Sequence, residues 1–404
     1  MPSPNLISSA MELQSRTAKN LGTFSTTYMD PLATEVFNRY APLNAVDSCA
    51  YPEFTLMEQE CGAFFLALFH ANPATEFTYF NTSGSSEALF MSLLFMKNDW
   101  KTRHFGNLAK PNFIVGANAH TAWHKAASYL DIELKIIPVH PERLNFDESQ
   151  LLQMINENTI GVGATLGATT TLNYDEVEKI NIALNDYRNK KNHFIPMHID
   201  AASGGFVAPF AQKEINWDFR LNHVMSINVS SHKFGQVYPS LGWLCVRNEL
   251  SSDGLAHESH YLGKLIRRFP IQFSHSASQL ATQVHHIHTL GTSGYETLIK
   301  SLFEKRSALQ KELSTFDEIQ IITPSSTSSL PGIIFSLRAN GSDHNLAGLA
   351  SFLTANGWHL PTLRLPAPVQ DTLVSRIIIR NGFDETVMQN LKKAIGNYFV
   401  STPE

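Results

Sequence analysis

Short apolar runs alternate along this chain with stretches whose apolar residues return every three or four positions, the pattern of strands set between amphipathic helices. The spacing predicts a helix over 53–70, a strand over 77–80 and a helix over 86–97, after which the alternation repeats. Strands follow at 113–115, 134–139 and 160–164, with helices at 122–130, 148–155 and a long one over 174–190. Apolar runs at His198-Ile199-Asp200 and Ser226-Ile227-Asn228-Val229 come next, and a strand at 244–246 closes the sheet. This alternation implies an α/β chain with a mainly parallel central sheet wrapped by helices. From about residue 291 the character changes: a helix through 313, strands at 319–322 and 332–337, a helix at 346–355, a strand at 376–379 and a final helix read as a smaller α/β unit. The Pro/Ser-rich stretch 324–331 is a loop inside that unit, because strands flank it closely. The expected organisation is an amino-terminal segment over 1–52, a large domain over 53–302 and a small carboxyl-terminal domain over 303–404, without internal repeats.

Composition narrows the class. With 404 residues, 43% of them hydrophobic, the chain has ample material for a core. A net charge of -5 without a basic cluster lacks the electrostatic footprint of a nucleic-acid partner. Cys49, Cys61 and Cys245 form no Cys-x-x-Cys spacing and are expected to be reduced, buried packing residues. Residues 1–20 show no basic start followed by an apolar core, and no apolar run reaches the length of a membrane span, so a cytoplasmic protein is expected. In His285-His286-x-His288 the first and last histidines would share a helix face, but no nearby carboxylate or cysteine completes a set; solvent-facing or interface histidines, and no metal, are expected.

Chemistry enters at two of the apolar runs. His198-Ile199-Asp200-Ala201-Ala202-Ser203-Gly204-Gly205-Phe206 ends a strand on an aspartate, and Ser226-Ile227-Asn228-Val229-Ser230-Ser231-His232-Lys233-Phe234-Gly235 ends one on a lysine flanked by serines and a histidine. Alone, the first is an ordinary turn or cap residue and the second a solvated loop. Together they supply what pyridoxal phosphate needs: an amine, Lys233, to form a Schiff base with its aldehyde, and an anion, Asp200, to keep its ring nitrogen protonated. Asn81-Thr82-Ser83-Gly84-Ser85-Ser86-Glu87-Ala88 joins a strand to a helix, and a small-residue turn entering a helix presents free N–H groups to an anion. A serine cap would explain one serine but not the whole turn.

These segments, with Gly242-Trp243, resemble nearly residue for residue the motifs of glutamate decarboxylases, a branch of the group II amino-acid decarboxylases. The resemblance runs from about residue 21 to 399. It implies fold type I of the pyridoxal phosphate-dependent transferases, the aspartate aminotransferase-like architecture, with the active site at a homodimer interface. It implies phosphate and ring contacts at Ser85, Ser86, Ser230, His232 and Lys233, with Ser274 of Phe273-Ser274-His275 donated by the neighbouring subunit. Thr169 would lie near the cofactor hydroxyl, Ala202 against the ring, and His120 would stack on the ring face. Thr23, Phe24, Asn44 and Asp47 match the positions that hold a distal carboxylate; an aspartate facing a carboxylate can share one proton with it, which suits mild acid. Arg380 resembles the arginine that grips the α-carboxylate, with Arg376 as the nearby alternative. Tyr261 matches a loop tyrosine suited to protonating the product carbon, and otherwise reads as a packed loop aromatic.

The resemblance thus implies α-decarboxylation of an acidic L-amino acid, above all L-glutamate to 4-aminobutyrate and carbon dioxide. Aspartate, a sulfinate analogue, or a lyase or amine-transfer reaction on the same scaffold remain alternatives. A binding protein without catalysis is a third, against which Lys233, Asp200, His120 and Arg380 weigh. Departures from the family pattern lie at Leu172, where a small residue is usual, and at Lys264, Arg267 and Arg268 near the loop tyrosine. The short termini favour a dimer over a larger assembly and leave regulation open.

Overall fold

The computed structural model describes residues 16–104, 109–250, 252–261, 264–322, 328–338 and 344–400, without the side chains of 259–261 and 264–267. The central sheet is built from β1 (Phe77–Thr82), β2 (Asn112–Gly116), β3 (Glu133–Ile137), β4 (Thr159–Thr165), β5 (Met197–Asp200), β6 (Val224–Val229) and β7 (Gly242–Arg247). Their order across the sheet is β1-β7-β6-β5-β4-β2-β3. Neighbours are parallel except where β7 is involved, which runs antiparallel to both β1 and β6. The expected parallel sheet is therefore present, but the strand predicted to close it sits inside it. Trp243, Leu244, Cys245 and Val246 are all buried, as a strand covered on both faces requires.

The two faces carry different cores. On one, Phe65 of the Glu53–Leu68 helix meets Phe206 edge-on and lies 5.4 Å from Trp243 between ring centroids. Full burial of one such side chain contributes roughly 1.5–3 kcal/mol. On the other face, Leu89, Leu93, Met96 and Trp100 of the Ser85–Arg103 helix join a cluster with Phe113, Trp123 and Leu244. The first cluster continues without a break into an antiparallel four-stranded sheet. Its strands, β10 (Ile319–Ile321), β11 (Gly332–Leu337), β12 (Thr362–Arg364) and β13 (Leu373–Ile378), are ordered β10-β11-β13-β12. Between the two sheets in sequence come the hairpin of β8 (His257–Tyr261) with β9 (Lys264–Arg268) and the helical stretch Ser278–Leu313.

That stretch begins well before the expected residue 291, because Gly291 breaks it in two with φ 54° and ψ -168°. Leu172 takes φ 63° while fully buried, a backbone conformation that favours glycine and accounts for the small residue usual there. Two expectations fail. Cys49 is exposed, since it sits in turns that follow Asn44, whereas Cys61 and Cys245 are buried. Of the three histidines only His286 departs from a solvent-facing position, being buried; His288 is exposed and bonds Glu60, and Asp30 comes from far in sequence to lie beside His285 and His286. Among the described residues no helix is long and apolar enough to cross a membrane.

Candidate active site

Parallel strands place their carboxyl ends on one side of a sheet, and the loops leaving those ends gather the chemistry. Here β1 leads to Ser83–Ser86, β2 to His120, β4 to Gly167 and Thr169, β5 to Asp200 and Ala202, and β6 to Ser230, His232 and Lys233. All of these line one cavity of about 220 Å³. The sequence-predicted Ser85, Ser86, His120, Thr169, Asp200, Ala202, Ser230, His232 and Lys233 are thus brought together.

Asp200 is 4% exposed, and its Oδ1 accepts from Ala202 N and Asn228 Nδ2, each at 3.2 Å. Asn228 is the hub. Its Nδ2 also donates to Ser85 Oγ at 2.7 Å, and its Oδ1 lies 2.8 Å from His198 Nε2. An amide oxygen can only accept, so His198 carries its proton on Nε2 and takes the Ser226 hydroxyl on Nδ1, 2.7 Å away. Burial pushes His198 down to about 4, against the weaker pull of Asp200, which keeps the ring neutral and the network in one arrangement near neutral pH.

Lys233 Nζ donates to Ser203 Oγ at 3.0 Å. Desolvation lowers the amine to about 8; Asp200 opposes that and Arg376 reinforces it. A lysine so placed is a better nucleophile near neutrality than a solvated one. His232 Nδ1 lies 3.0 Å from the Leu241 carbonyl and so donates, leaving Nε2 as its acceptor; burial first, then Lys233, pushes it down to about 4. His120 Nδ1 accepts from Ala122 N at 3.1 Å, and desolvation lowers its pKa despite Asp200.

The helix Ser85–Arg103 starts directly at the cavity. Its first backbone bond runs from Ala88 N to Gly84 O, so the N–H groups of Ser85, Ser86 and Glu87 precede the ladder and point out of the helix. Gly84 has φ 143°, and a Cβ there would lie 3.0 Å from His232 Cε1. A Cβ on Gly242 would come within 2.9 Å of Gly84 Cα. Bare backbone is therefore required on both sides of the turn. Glu87 holds the turn by accepting from Ser83 N and Oγ, and the same carboxylate accepts from Ile271 and Gln272 N. A buried amine, a buried carboxylate and an anion-ready helix start, all in one cavity, are the donor set that pyridoxal phosphate takes.

The substrate residues divide into groups. Phe24 is beside the amine, its ring 5.4 Å from Lys233 Nζ, and Thr26 ties Thr23 and Phe24 to the lysine loop through bonds to His232 O and Lys233 O. Asn44 and Ser274 form a separate unit on the chain's exterior: Asn44 Nδ2 donates to Ser274 Oγ at 3.3 Å, and its Oδ1 accepts from His275 N. Neither they nor Asp47 line the cavity of their own chain. Arg380 is buried and donates to Thr27 Oγ1 and Thr17 O, with its Nη1 left without a partner. Arg376 lies against Phe24, its Cζ 4.6 Å from the ring, and donates to Thr169 O and Gly22 O. The Tyr261 side chain lies outside the described residues.

Asn228, Ser203 and His198 were not singled out from sequence, although a buried Asn and His inside strand-like apolar runs were a signal that polar partners were needed.

Comparison with known proteins agrees with this geometry. The model of the pyridoxal-dependent decarboxylase conserved domain matches residues 16–338. The chain belongs to this decarboxylase family. The family's cofactor is pyridoxal phosphate, and the chain is a carboxy-lyase whose substrate is an amino acid. It is 33% identical over 387 residues to the glutamate decarboxylase of Lactococcus lactis, covering 93% of this chain and 83% of that one. It is 32% identical to glutamate decarboxylase 5 of Arabidopsis thaliana, covering 96% and 79%. Among solved structures, the Lactobacillus brevis glutamate decarboxylase superposes with a TM-score of 0.92 at 31% identity, over 100% of this chain and 93% of that one. A sphingosine-1-phosphate lyase of Burkholderia pseudomallei shares the fold at 18% identity, with a TM-score of 0.83 over 100% and 91%. The type I α/β fold is thus the architecture of this decarboxylase.

Proposed function

We propose that the chain removes the α-carboxylate of L-glutamate, giving 4-aminobutyrate and carbon dioxide, as a cytoplasmic homodimer. The observation that carries this reading is the convergence of Lys233 and Asp200 in one cavity, with Phe24 beside the amine, in a chain about one third identical to glutamate decarboxylases over nearly its whole length. Cytoplasmic placement draws support from three free cysteines, none of them in a disulfide.

Lys233 is the amine that holds the cofactor covalently, and Asp200, fixed by Asn228 and the Ala202 amide, keeps its ring nitrogen protonated. Ser85, Ser86, Ser230 and His232 hold the phosphate, with Ser274 of the partner subunit. His120, Ala202 and Thr169, which line the cavity, would hold the cofactor ring. When bound, pyridoxal phosphate supplies an electron sink for the pair released as the Cα–carboxylate bond breaks. Arg376, in place of Arg380, would grip the α-carboxylate and orient it for cleavage. Thr23 and the Phe24 backbone hold the distal carboxylate together with Asn44 and Asp47 of the partner subunit. Tyr261 would return the proton to the substrate Cα, and Lys233 would be the amine that holds the cofactor once product has left.

An amine-product screen of the purified holoenzyme against glutamate, aspartate and cysteine sulfinate tests the substrate. Glutamate should lead by at least an order of magnitude, the discrimination expected of a site built to hydrogen-bond a charged group at one fixed distance. Equal turnover of the three, or of an apolar amino acid of similar length, overturns the assignment. Arg376→Ala should abolish turnover and Arg380→Ala should spare most of it; the reverse result restores Arg380 to the role.

A further inference from the structure

A second cavity, of about 410 Å³, lies outside the catalytic one, with Asp30, His285, His286, Gln236 and Asn381 in its wall. One ligating atom from each of Asp30, His285 and His286 lies within 4.8 Å of the others. His286 is only 4% exposed, yet its Nε2 has no hydrogen-bond partner. A buried ring nitrogen left unpaired loses its hydration for nothing in return unless something is to bind there. The His286 ring and Gln236 both face this cavity, so the unpaired Nε2 belongs to a ring held between the helix and the loop at Gln236.

Asp30 is equally prepared. Its Oδ1 accepts from Ala33 N as the cap of the Pro31–Tyr40 helix, which fixes the carboxylate and leaves Oδ2 available. Tetrahedral zinc with ligands at roughly 2.0–2.2 Å needs donor atoms roughly 3.3–3.5 Å apart, so the three must close by about 1 Å. Asp30 and His285 are only partly buried and have room to make that rotation around the fixed His286.

We propose that Asp30, His285 and His286 form a site for a borderline divalent transition-metal cation such as zinc, with a water completing the tetrahedron. Two neutral imidazoles and one carboxylate suit such a cation and are a poor set for magnesium or calcium, which take oxygen ligands. The cation clamps two parts of the catalytic apparatus. Asp30 follows the segment in which Thr26 N donates to His232 O at 2.8 Å and Thr26 Oγ1 to Lys233 O at 2.7 Å. His286 shares the cavity wall with the loop at Gln236, whose Oε1 accepts from Asn381 Nδ2 at 2.8 Å. Metal binding therefore pins the segment carrying Thr23 and Phe24 to the loop carrying Lys233, and it requires no assumption about the substrate.

The test is zinc titration of chelator-treated, desalted holoenzyme by calorimetry, with the metal retained after gel filtration counted by elemental analysis. One equivalent per chain should bind with micromolar or tighter affinity and raise the thermal midpoint. His285→Ala and Asp30→Asn should weaken binding by at least about tenfold, the lower bound for losing a group that tunes a metal site, and should remove the thermal shift. His285 is partly exposed and Asn can still cap the helix, so both variants should fold. His288→Ala, on the same helix but paired with Glu60, should bind as the wild type does. Equal affinity in wild type and His285→Ala, a loss in His288→Ala as large as in His285→Ala, or no stoichiometric binding below millimolar zinc overturns the proposal.

Discussion

Asp200 shows how much of a site depends on one buried network. It sits at the end of β5, and the carboxylate is held by an amide hub that also holds a phosphate-turn serine. Asp200→Asn should leave the phosphate contacts intact and remove the charge partner of the ring, costing on the order of several kcal/mol in the transition state. Turnover should therefore fall by at least a hundredfold while cofactor absorbance is largely retained; near-normal turnover would remove Asp200 from the role. Asn228→Leu should act through Asp200, with both cofactor affinity and turnover reduced, because the buried groups it leaves unpaired each cost roughly 1–3 kcal/mol. Restored activity in Asn228→Gln would argue against so strict a geometry. At this scale the lysine and aspartate were legible from sequence because their chemistry has few substitutes. The choice between Arg376 and Arg380 was not, since only three residues lie between them and only tertiary packing decides which guanidinium reaches Phe24.

Elements were legible where periodicity was clean. The strands β2, β4 and β11 appear within a residue of their expected bounds, because buried strands read as continuous apolar runs, whereas the Ser85–Arg103 helix runs six residues past its expected end at 97. The Pro31–Tyr40 helix went unread although Asp30 caps it and Pro31 opens it, since its exposed Leu32 and polar interior hide the apolar stripe. β7 was found, but its place inside the sheet is set by pairing with β1 and β6, information that no single run carries. The turn before the Ser85–Arg103 helix gives the sharpest prediction at this scale. Gly84→Ala forces φ 143° on a residue with a Cβ and drives that atom against His232. Strain of about 1–3 kcal/mol is expected at such a position. Cofactor affinity should drop by roughly tenfold or more with secondary structure intact, measured by titrating the stripped protein; unchanged affinity would mean that the turn is not the phosphate cradle.

At the scale of the whole molecule, buried ionisable groups predict how the fold meets acid. His198, His232 and His286 are held near 4 from an ordinary 6.5, in each case chiefly by burial. A depressed histidine favours the neutral form in the fold, so its stabilisation is present above 6.5 and is lost as pH falls toward 4. Asp175 works the other way: burial raises it to about 6 from 3.8, so its contribution is present below 3.8 and lost as pH rises through 6. Near pH 5 the unfolded chain carries three more protons on these histidines and one fewer on the aspartate. Stability of the stripped protein should thus fall by about 2.7 kcal/mol per pH unit on acidification through that window. Thermal midpoints that rise between pH 6 and pH 4.5 would contradict these environments.

The separation of Asn44 and Ser274 from the cavity of their own chain gives the last prediction. Both belong to one exterior unit, bonded to each other and joined by the bridge from Asn44 to Ser276. Residues that match substrate and phosphate contacts yet face outward are explained if two copies exchange them across a two-fold axis, each completing the other's site. Sequence resemblance pointed to such an exchange for Ser274, but no run of residues encodes a symmetry axis, so the arrangement must be tested by mixing. Lys233→Ala disables the cavity and Asp47→Ala disables the exterior unit; each variant alone should be inactive or nearly so. In a mixed dimer one site receives both defects and the other receives none. Unfolded together in equal amounts and refolded with cofactor, the pair should recover on the order of one quarter of wild-type activity, because half of the dimers are mixed and each of those has one intact site. Lys233→Ala mixed with Asp200→Asn should recover nothing, since both defects lie in the same cavity. Recovery in that control, or none in the first mixture despite confirmed mixed dimers, would place Asp47 in its own chain's site.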